Sequence, residues 1–207
     1  MSDRAPAPVS SLAPVYKTGT FGASAGNGSI NVLAERRPGS MINIQGETDS
    51  AAFLAAVKLH FAVELPIEPN TSLAAGAARC HWLGPNSWLM VGPPLTTDEV
   101  AMRHLAISAA KGALIDVSSG RVVLRVRGPR AAEILAKNCG LDFHPRRFAV
   151  GHCAQSLYGR VAVLIDKFDA EPGFDLFAAR SYAGSLWHEL THAAGEYGYR
   201  VDPPVMA

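Results

Sequence analysis

The sequence predicts an α+β fold built from two similar units, each a sheet with helices on one face. Three observations carry this. In Arg121-Val122-Val123-Leu124-Arg125-Val126-Arg127, Val122, Leu124 and Val126 point one way. Arg121, Arg125 and Arg127 point the other, which is the period-2 pattern of a strand with one wet face. Gly128-Pro129 stops that strand, and Ala131, Ile134 and Leu135 follow at helical spacing to a stop at Gly140. The same strand–Gly–helix order occurs upstream, where residues 41–46 alternate up to Gly46 and a helical stripe follows.

The chain divides into an N-terminal extended or disordered arm (1–28), a first α+β unit (29–112), a second (113–200) and a C-terminal tail (201–207). The arm is rich in Pro, Ser, Ala and Gly, a composition that cannot offset its own ordering entropy. It reads as a disordered tail or as a segment that orders on a partner's surface. The first unit opens near Ser29-Ile30-Asn31-Val32-Leu33. Its next strand carries Ile42 and Ile44 on one face and Asn43 and Gln45 on the other. Thr48 or Asp49 is placed to cap a helix whose Phe53, Ala56, Val57, His60 and Phe61 share a stripe, and Pro66 closes that segment. Residues 79–91 read as a hairpin with a Gly84-Pro85-Asn86-Ser87 turn and one Trp, 82 or 88, in each strand. Thr96 and Glu99 form a capping box for a helix that runs to about Lys111 and stops at Gly112.

In the second unit, strands are expected near 153–157, 162–166 and 174–178, with a turn at 169–173. Ser181 is placed to cap a last helix carrying Ala183, Leu186, Trp187, Leu190, Ala193 and Ala194 at close helical period. The units align: Gly46 with Gly128, Ile42 and Ile44 with Leu124 and Val126, Pro66 with Pro145, Trp88 with Phe174, and the helix from Thr97 with that from Ser181. A repeat of roughly 80 residues is too long for a solenoid module and reads as a duplication.

Composition narrows the function. With 207 residues, 48% hydrophobic and 18% charged, the chain is of the soluble globular class. A net charge of +1 gives no electrostatic case for nucleic acid or an anionic membrane. No apolar run approaches the roughly 20 residues of a membrane helix. The N-terminus lacks an apolar stretch, so no secretory signal is expected. Cys80, Cys139 and Cys153 are odd in number and far apart, which argues against a disulfide framework and suits a reducing cytoplasm.

Few motifs suggest chemistry. His188-Glu189-Leu190-Thr191-His192 matches H-E-x-x-H on the last helix, where both imidazoles share a face and Glu189 would be the general base of a zinc hydrolase. The third ligand position holds Gly198, Glu196 is too close to sit on a separate element, and the motif lies mostly off the apolar stripe. A solvated helix face is the better reading, and no metal site is assigned. His152 and Cys153 are chain neighbours facing opposite ways, a poor dyad. Asp116 and Ser118-Ser119-Gly120 resemble a turn, and no G-x-S-x-G elbow, G-x-G-x-x-G fingerprint or P-loop occurs. Arg121, Arg125, Arg127, Arg146 and Arg147 form a candidate basic strip, either solvated or a docking surface for an acidic partner.

Asp116-Val117-Ser118, the strand after it, Gly128-Pro129 and the 131–135 helix resemble the opening motif of the aminomethyltransferase family, which includes the T-protein of the glycine cleavage system. Other pieces resemble more closely the gamma-subunit family of heterotetrameric sarcosine oxidases. They are Trp82-Leu83-Gly84-Pro85 with Trp88-Leu89, Leu141-Asp142 with His144-Pro145-Arg146, Cys153-Ala154-Gln155, Gly159-Arg160, Phe174-Asp175-Leu176 and Ser185-Leu186-Trp187-His188. In order and spacing they cover about residues 80 to 195.

The resemblance implies a folate-binding-domain fold and a non-catalytic subunit with no catalytic, cofactor or metal residues of its own. Such a subunit packs on the alpha subunit in a complex with beta and delta. FAD, FMN, NAD, zinc and the tetrahydrofolate co-substrate are expected on other subunits. The complex demethylates sarcosine oxidatively to glycine, yielding formaldehyde or methylenetetrahydrofolate and hydrogen peroxide. Two departures from active folate enzymes fit that role. Ser119 stands where the family has His, and Gly159-Arg160-Val161-Ala162-Val163 has no carboxylate where the T-protein has an acidic pair. Asp166 lies nearby and leaves open a stand-alone folate-binding or aminomethyltransferase-like protein.

Overall fold

The structure is a computed structural model that describes residues 9–23 and 30–206. In chain order its strands and helices are β1 (Gly19–Phe21), β2 (Asn31–Arg37), β3 (Ser40–Gln45), α1 (Ala51–Phe61), β4 (Ser72–Ala75), β5 (Ala78–Gly84), β6 (Ser87–Gly92), α2 (Thr97–Ala109), β7 (Ala113–Asp116), β8 (Arg121–Arg127), α3 (Ala131–Ala136), β9 (Cys153–Tyr158), β10 (Val161–Asp169), β11 (Gly173–Ala179), α4 (Ala183–Gly195), β12 (Tyr199–Val201) and β13 (Val205–Met206). One sheet runs β4-β5-β6-β3-β7, and the other runs β1-β12-β2-β8-β11-β10-β9 with β13 also on β2. The expected α+β class with mixed helices and sheets is found.

Strand parity sorts the buried side chains into three layers. Ile42, Ile44, Trp88 and Met90 face α1 and α2, in a core that includes Phe53, Val57 and Ile107. Leu124, Val126, Leu176 and Ile165 face α3 and α4, in a core that includes Ile134, Leu135, Leu186 and Leu190. Residues of opposite parity, Met41, Leu89 and Val91 from one sheet and Val123, Leu164 and Phe177 from the other, form a third cluster between the sheets. The face carrying Arg125 is therefore not wet. Around Val123 and Arg125 it packs toward the other sheet, leaving Arg127 exposed at the strand end, which alternation within one strand cannot reveal.

This middle layer also holds charge. Asp166 on β10 is fully buried and faces the β4–β5 strands: its carboxylate accepts from Ser72 Oγ at 2.6 Å and lies 2.7 Å from Arg79 Nε. His81 Nε2 stands 3.4 Å from the same carboxylate, while its Nδ1 lies 3.1 Å from the Leu89 carbonyl oxygen and its ring meets Phe177 edge-on at 5.1 Å. Burial alone would raise the Asp166 pKa, but His81, Arg79 and Ser72 outweigh it and hold the carboxyl below its ordinary value. Backbone bonds from Cys153 N to Asn70 O (2.9 Å) and from Ser72 N to Gly151 O (2.7 Å) fasten the same edge.

The sheets do not divide the chain at residue 113. β2 pairs antiparallel with β8, and β7 pairs antiparallel with β3, so each sheet takes a strand from the other half of the sequence. The chain crosses between sheets at Pro38-Gly39 and again at a 3-10 turn, Ser118–Gly120. A Cβ on Gly39 would lie 2.1 Å from the Pro94 nitrogen, so the first crossing requires glycine. Ser118 ties the crossings together: its hydroxyl accepts from Met41 N at 2.8 Å and donates to Asp116 at 2.6 Å.

Local details differ at three places. Ser50, not Thr48 or Asp49, caps α1 by accepting from Phe53 N at 3.3 Å. Ser181 sits inside a 3-10 turn, Arg180–Tyr182, that leads into α4 without a side-chain cap. The Thr96–Glu99 capping box is present, and all six expected α4 core residues are buried. Residues 1–8 and 24–28 of the expected arm lie outside the described residues. Its described part orders on the chain itself. Leu12 is fully buried, Tyr16 donates to Asp202 O at 2.6 Å and packs on Trp187 at 5.0 Å, and β1 pairs with β12. Apolar groups at those few positions outweigh the segment's average composition.

Two outcomes follow from the layers. Leu124→Asp places an unpaired charge in a fully buried site and should cost several kcal/mol; wild-type melting behaviour would contradict the assignment of its face. Asp166→Asn should cost about 3–5 kcal/mol near neutral pH by leaving Arg79 uncompensated. Because the Asp166 pKa is lowered on folding, its contribution is present above the ordinary carboxylate pKa and is lost as pH falls through the folded value. The stability gap to Asp166→Asn should thus hold from neutral pH down to about pH 4 and narrow below it in chemical denaturation. A gap that widens in acid would contradict this.

Candidate functional site

The five arginines of the candidate strip separate in three dimensions. Arg125 pairs with Asp175 through two contacts, 2.7 and 2.8 Å, and Arg36 joins the same carboxylate at 3.3 Å. Burial pushes Arg125 down, but Asp175 outweighs it, so its pKa lies above the ordinary arginine value. Arg127 pairs with Asp169 at the strand end. Arg146 and Arg147 are exposed on the segment between α3 and β9. Arg121 alone is half-buried with no hydrogen bond or ion pair from its guanidinium among the described residues. Burial without a carboxylate in reach lowers its pKa.

Arg121 lines a cavity of about 270 Å³ at the two sheet crossings. Pro38, Gly39 and Met41 form one wall, Ser118 and Ser119 another, and Ser10 closes it from the N-terminal segment. Arg180 lines the same cavity, brought there because Ala179 pairs with Arg121 in the sheet. The sequence reading missed Arg180, since only strand register places it beside Arg121. Glu35 also lines the cavity, but Arg37 (2.7 Å) and the Ser10 hydroxyl (2.7 Å) occupy its carboxylate.

The other candidates have structural surroundings. His188 and His192 lie side by side on α4 with ring centroids 6.4 Å apart, and Glu189 accepts from Asn138 Nδ2 at 3.3 Å. No group of three or more His, Cys, Asp or Glu among the described residues could hold a metal ion. Cys80, Cys139 and Cys153 are free and buried. Burial raises the Cys80 pKa and pushes that of Cys153 up to about 12. Gly159 (φ +58°) and Arg160 form the tight turn between β9 and β10. Asp166, the nearest carboxylate considered for binding, is enclosed by Ser72, Arg79 and His81.

No helix among the described residues is long and apolar enough to cross a membrane. EDTA should leave the melting temperature unchanged; a fall reversed by added zinc would restore the metal reading of His188 and His192. Native protein should react slowly with a thiol reagent and release all three thiols on unfolding, and fast reaction in the native state would contradict their burial.

Comparison with known proteins places this geometry. The chain is 26% identical to the sarcosine oxidase subunit gamma of Corynebacterium sp. (strain P-1) over 182 residues, 85% of this chain and 84% of that one. It is 30% identical to the corresponding subunit of Corynebacterium sp. (strain U-96) over 118 residues, 56% of each chain, so that match spans little more than half the relative's length. In fold it is similar to a chain of the heterotetrameric sarcosine oxidase of Corynebacterium sp. U-96, solved with pyrrole 2-carboxylate. The TM-score is 0.74 at 23% identity, over 81% of this chain and 85% of that chain. It is also similar in fold to the glycine cleavage system aminomethyltransferase T of Bartonella henselae, with TM-score 0.59 at 17% identity, over 84% of this chain and 48% of the other. The model of the sarcosine oxidase gamma subunit family matches residues 45–196, well over half the chain, and the protein therefore belongs to that family.

Proposed function

We propose that this chain is the non-catalytic gamma subunit of a cytoplasmic heterotetrameric sarcosine oxidase and a structural partner of its alpha subunit. The complex demethylates sarcosine oxidatively to glycine, passing the methyl carbon to tetrahydrofolate or releasing it as formaldehyde and forming hydrogen peroxide. FAD, FMN, NAD and zinc belong to the other subunits in this reading. The family match over residues 45–196 carries it.

The surroundings of the candidate groups support a scaffold. Asp166 is engaged in joining the two sheets, and the Gly159-Arg160 turn presents a guanidinium where the related enzymes would present acids. A binding surface remains available: Met102 and Leu105 on α2, Leu59 on α1 and Ile115 on β7 are each at least half exposed.

The test is co-expression with the alpha, beta and delta subunits. The chain should co-purify with them at constant stoichiometry, and complex lacking it should be recovered in lower yield. Failure to associate with the alpha subunit would overturn the reading. So would tetrahydrofolate binding by the isolated chain together with aminomethyl transfer.

A further inference from the structure

The crossover cavity has a charge balance that nothing among the described residues resolves. Of its four arginines, Arg36 shares the Asp175 carboxylate with Arg125, and Arg37 pairs with Glu35. Arg180 makes a 2.5 Å hydrogen bond to the Val9 carbonyl oxygen, which carries no net charge, and Arg121 has no partner among the described residues. Two guanidinium groups thus share one small cavity whose carboxylate, Glu35, is already held by Arg37 and Ser10. Arg121 is half-buried and Arg180 exposed; a like charge beside a partly desolvated guanidinium is unfavourable, and an anion between them relieves that penalty.

The walls narrow the kind of anion. Val9, Pro38, Met41 and Val122 supply apolar surface beside the arginines. A fully hydrated inorganic anion gains nothing from such walls, whereas a carboxylate on a short aliphatic stem uses both features. The guanidinium fork matches the two oxygens of a carboxylate. A volume of about 270 Å³ lies just under the range of cofactor-sized sites, so the occupant is small.

We propose that this cavity is a carboxylate-binding site in which Arg121 is the principal ligand and Arg180 the second. The carboxylate is either that of a free small acid or one carried by a partner subunit. The latter source rests on the proposed role of the chain as a subunit.

Full-length wild type is compared with Arg121→Gln, Arg180→Gln, the double variant and Arg121→Lys. Malonate titration by calorimetry is run at constant ionic strength, with sulfate as comparator. Assembly with the other subunits is scored by co-purification at low and high salt. Each variant is first required to melt like wild type, and Arg121→Lys provides a charge-retaining control.

If the source is a free acid, wild type binds malonate more tightly than sulfate, and the double variant loses about tenfold or more in affinity. If it is a partner's carboxylate, malonate does not bind, and the double variant assembles poorly while Arg121→Lys retains part of the assembly. Unchanged malonate binding and unchanged assembly in the double variant overturn the proposal. So does wild type that neither binds malonate nor assembles. Wild type that binds malonate but fails to assemble keeps the site and removes the subunit reading.

Discussion

Asp166 is the constraint on which the arrangement of this molecule depends. It sits on one sheet, fully buried, and its compensating groups sit on the other. A carboxylate in that position has one relative placement of the two sheets that satisfies it. Sliding or rotating either sheet would leave both Asp166 and Arg79 unpaired in a low-dielectric layer. The apolar residues around it, Leu89, Val91, Leu164 and Phe177, would tolerate such a slip far better. Buried ion pairs contribute little net stability over apolar packing, but breaking one is costly, and that asymmetry favours a single docking geometry.

Much of the fold is legible in the sequence because much of it is local. Parity in 121–127 and 41–46 identifies the core faces, and the Thr96–Glu99 box identifies a helix start because both halves lie within four residues. The six core positions of α4 follow from period alone. What stays hidden is non-local. An inner face of Arg, Asp and His looks like a solvent face until a second sheet is laid on it. The pairing of β2 with β8 rather than with its neighbour β3 has no local signal, since Pro38-Gly39 is as compatible with a hairpin as with a crossing.

The arginines show the same limit for function. Arg121, Arg125 and Arg127 are indistinguishable along the strand, yet one has no counter-ion among the described residues, one is bound into Asp175 and one is spent at the strand end. What separates them is where the carboxylates fall, Asp175 opposite Arg125 on the neighbouring strand β11 and Asp169 at the end of β10 near Arg127, and that depends on register. His188-Glu189-Leu190-Thr191-His192 is the converse case. The local pattern is complete, but no further ligating side chain converges on it among the described residues. Spacing along a helix can align two ligands but cannot supply the third from elsewhere in the fold.

The exchanged strands bear on how the protein comes to fold. β2 waits for β8, roughly 90 residues downstream, and β3 cannot complete its sheet until β7 has been made. During synthesis the first half therefore leaves the ribosome with an unpaired strand and an open sheet edge, a state prone to wrong pairing. Both closures become possible almost together, when residues 113–127 emerge. The duplicated halves look in sequence like two modules that could be separated, but each is completed by the other's strand. They are expected to fold as one cooperative unit.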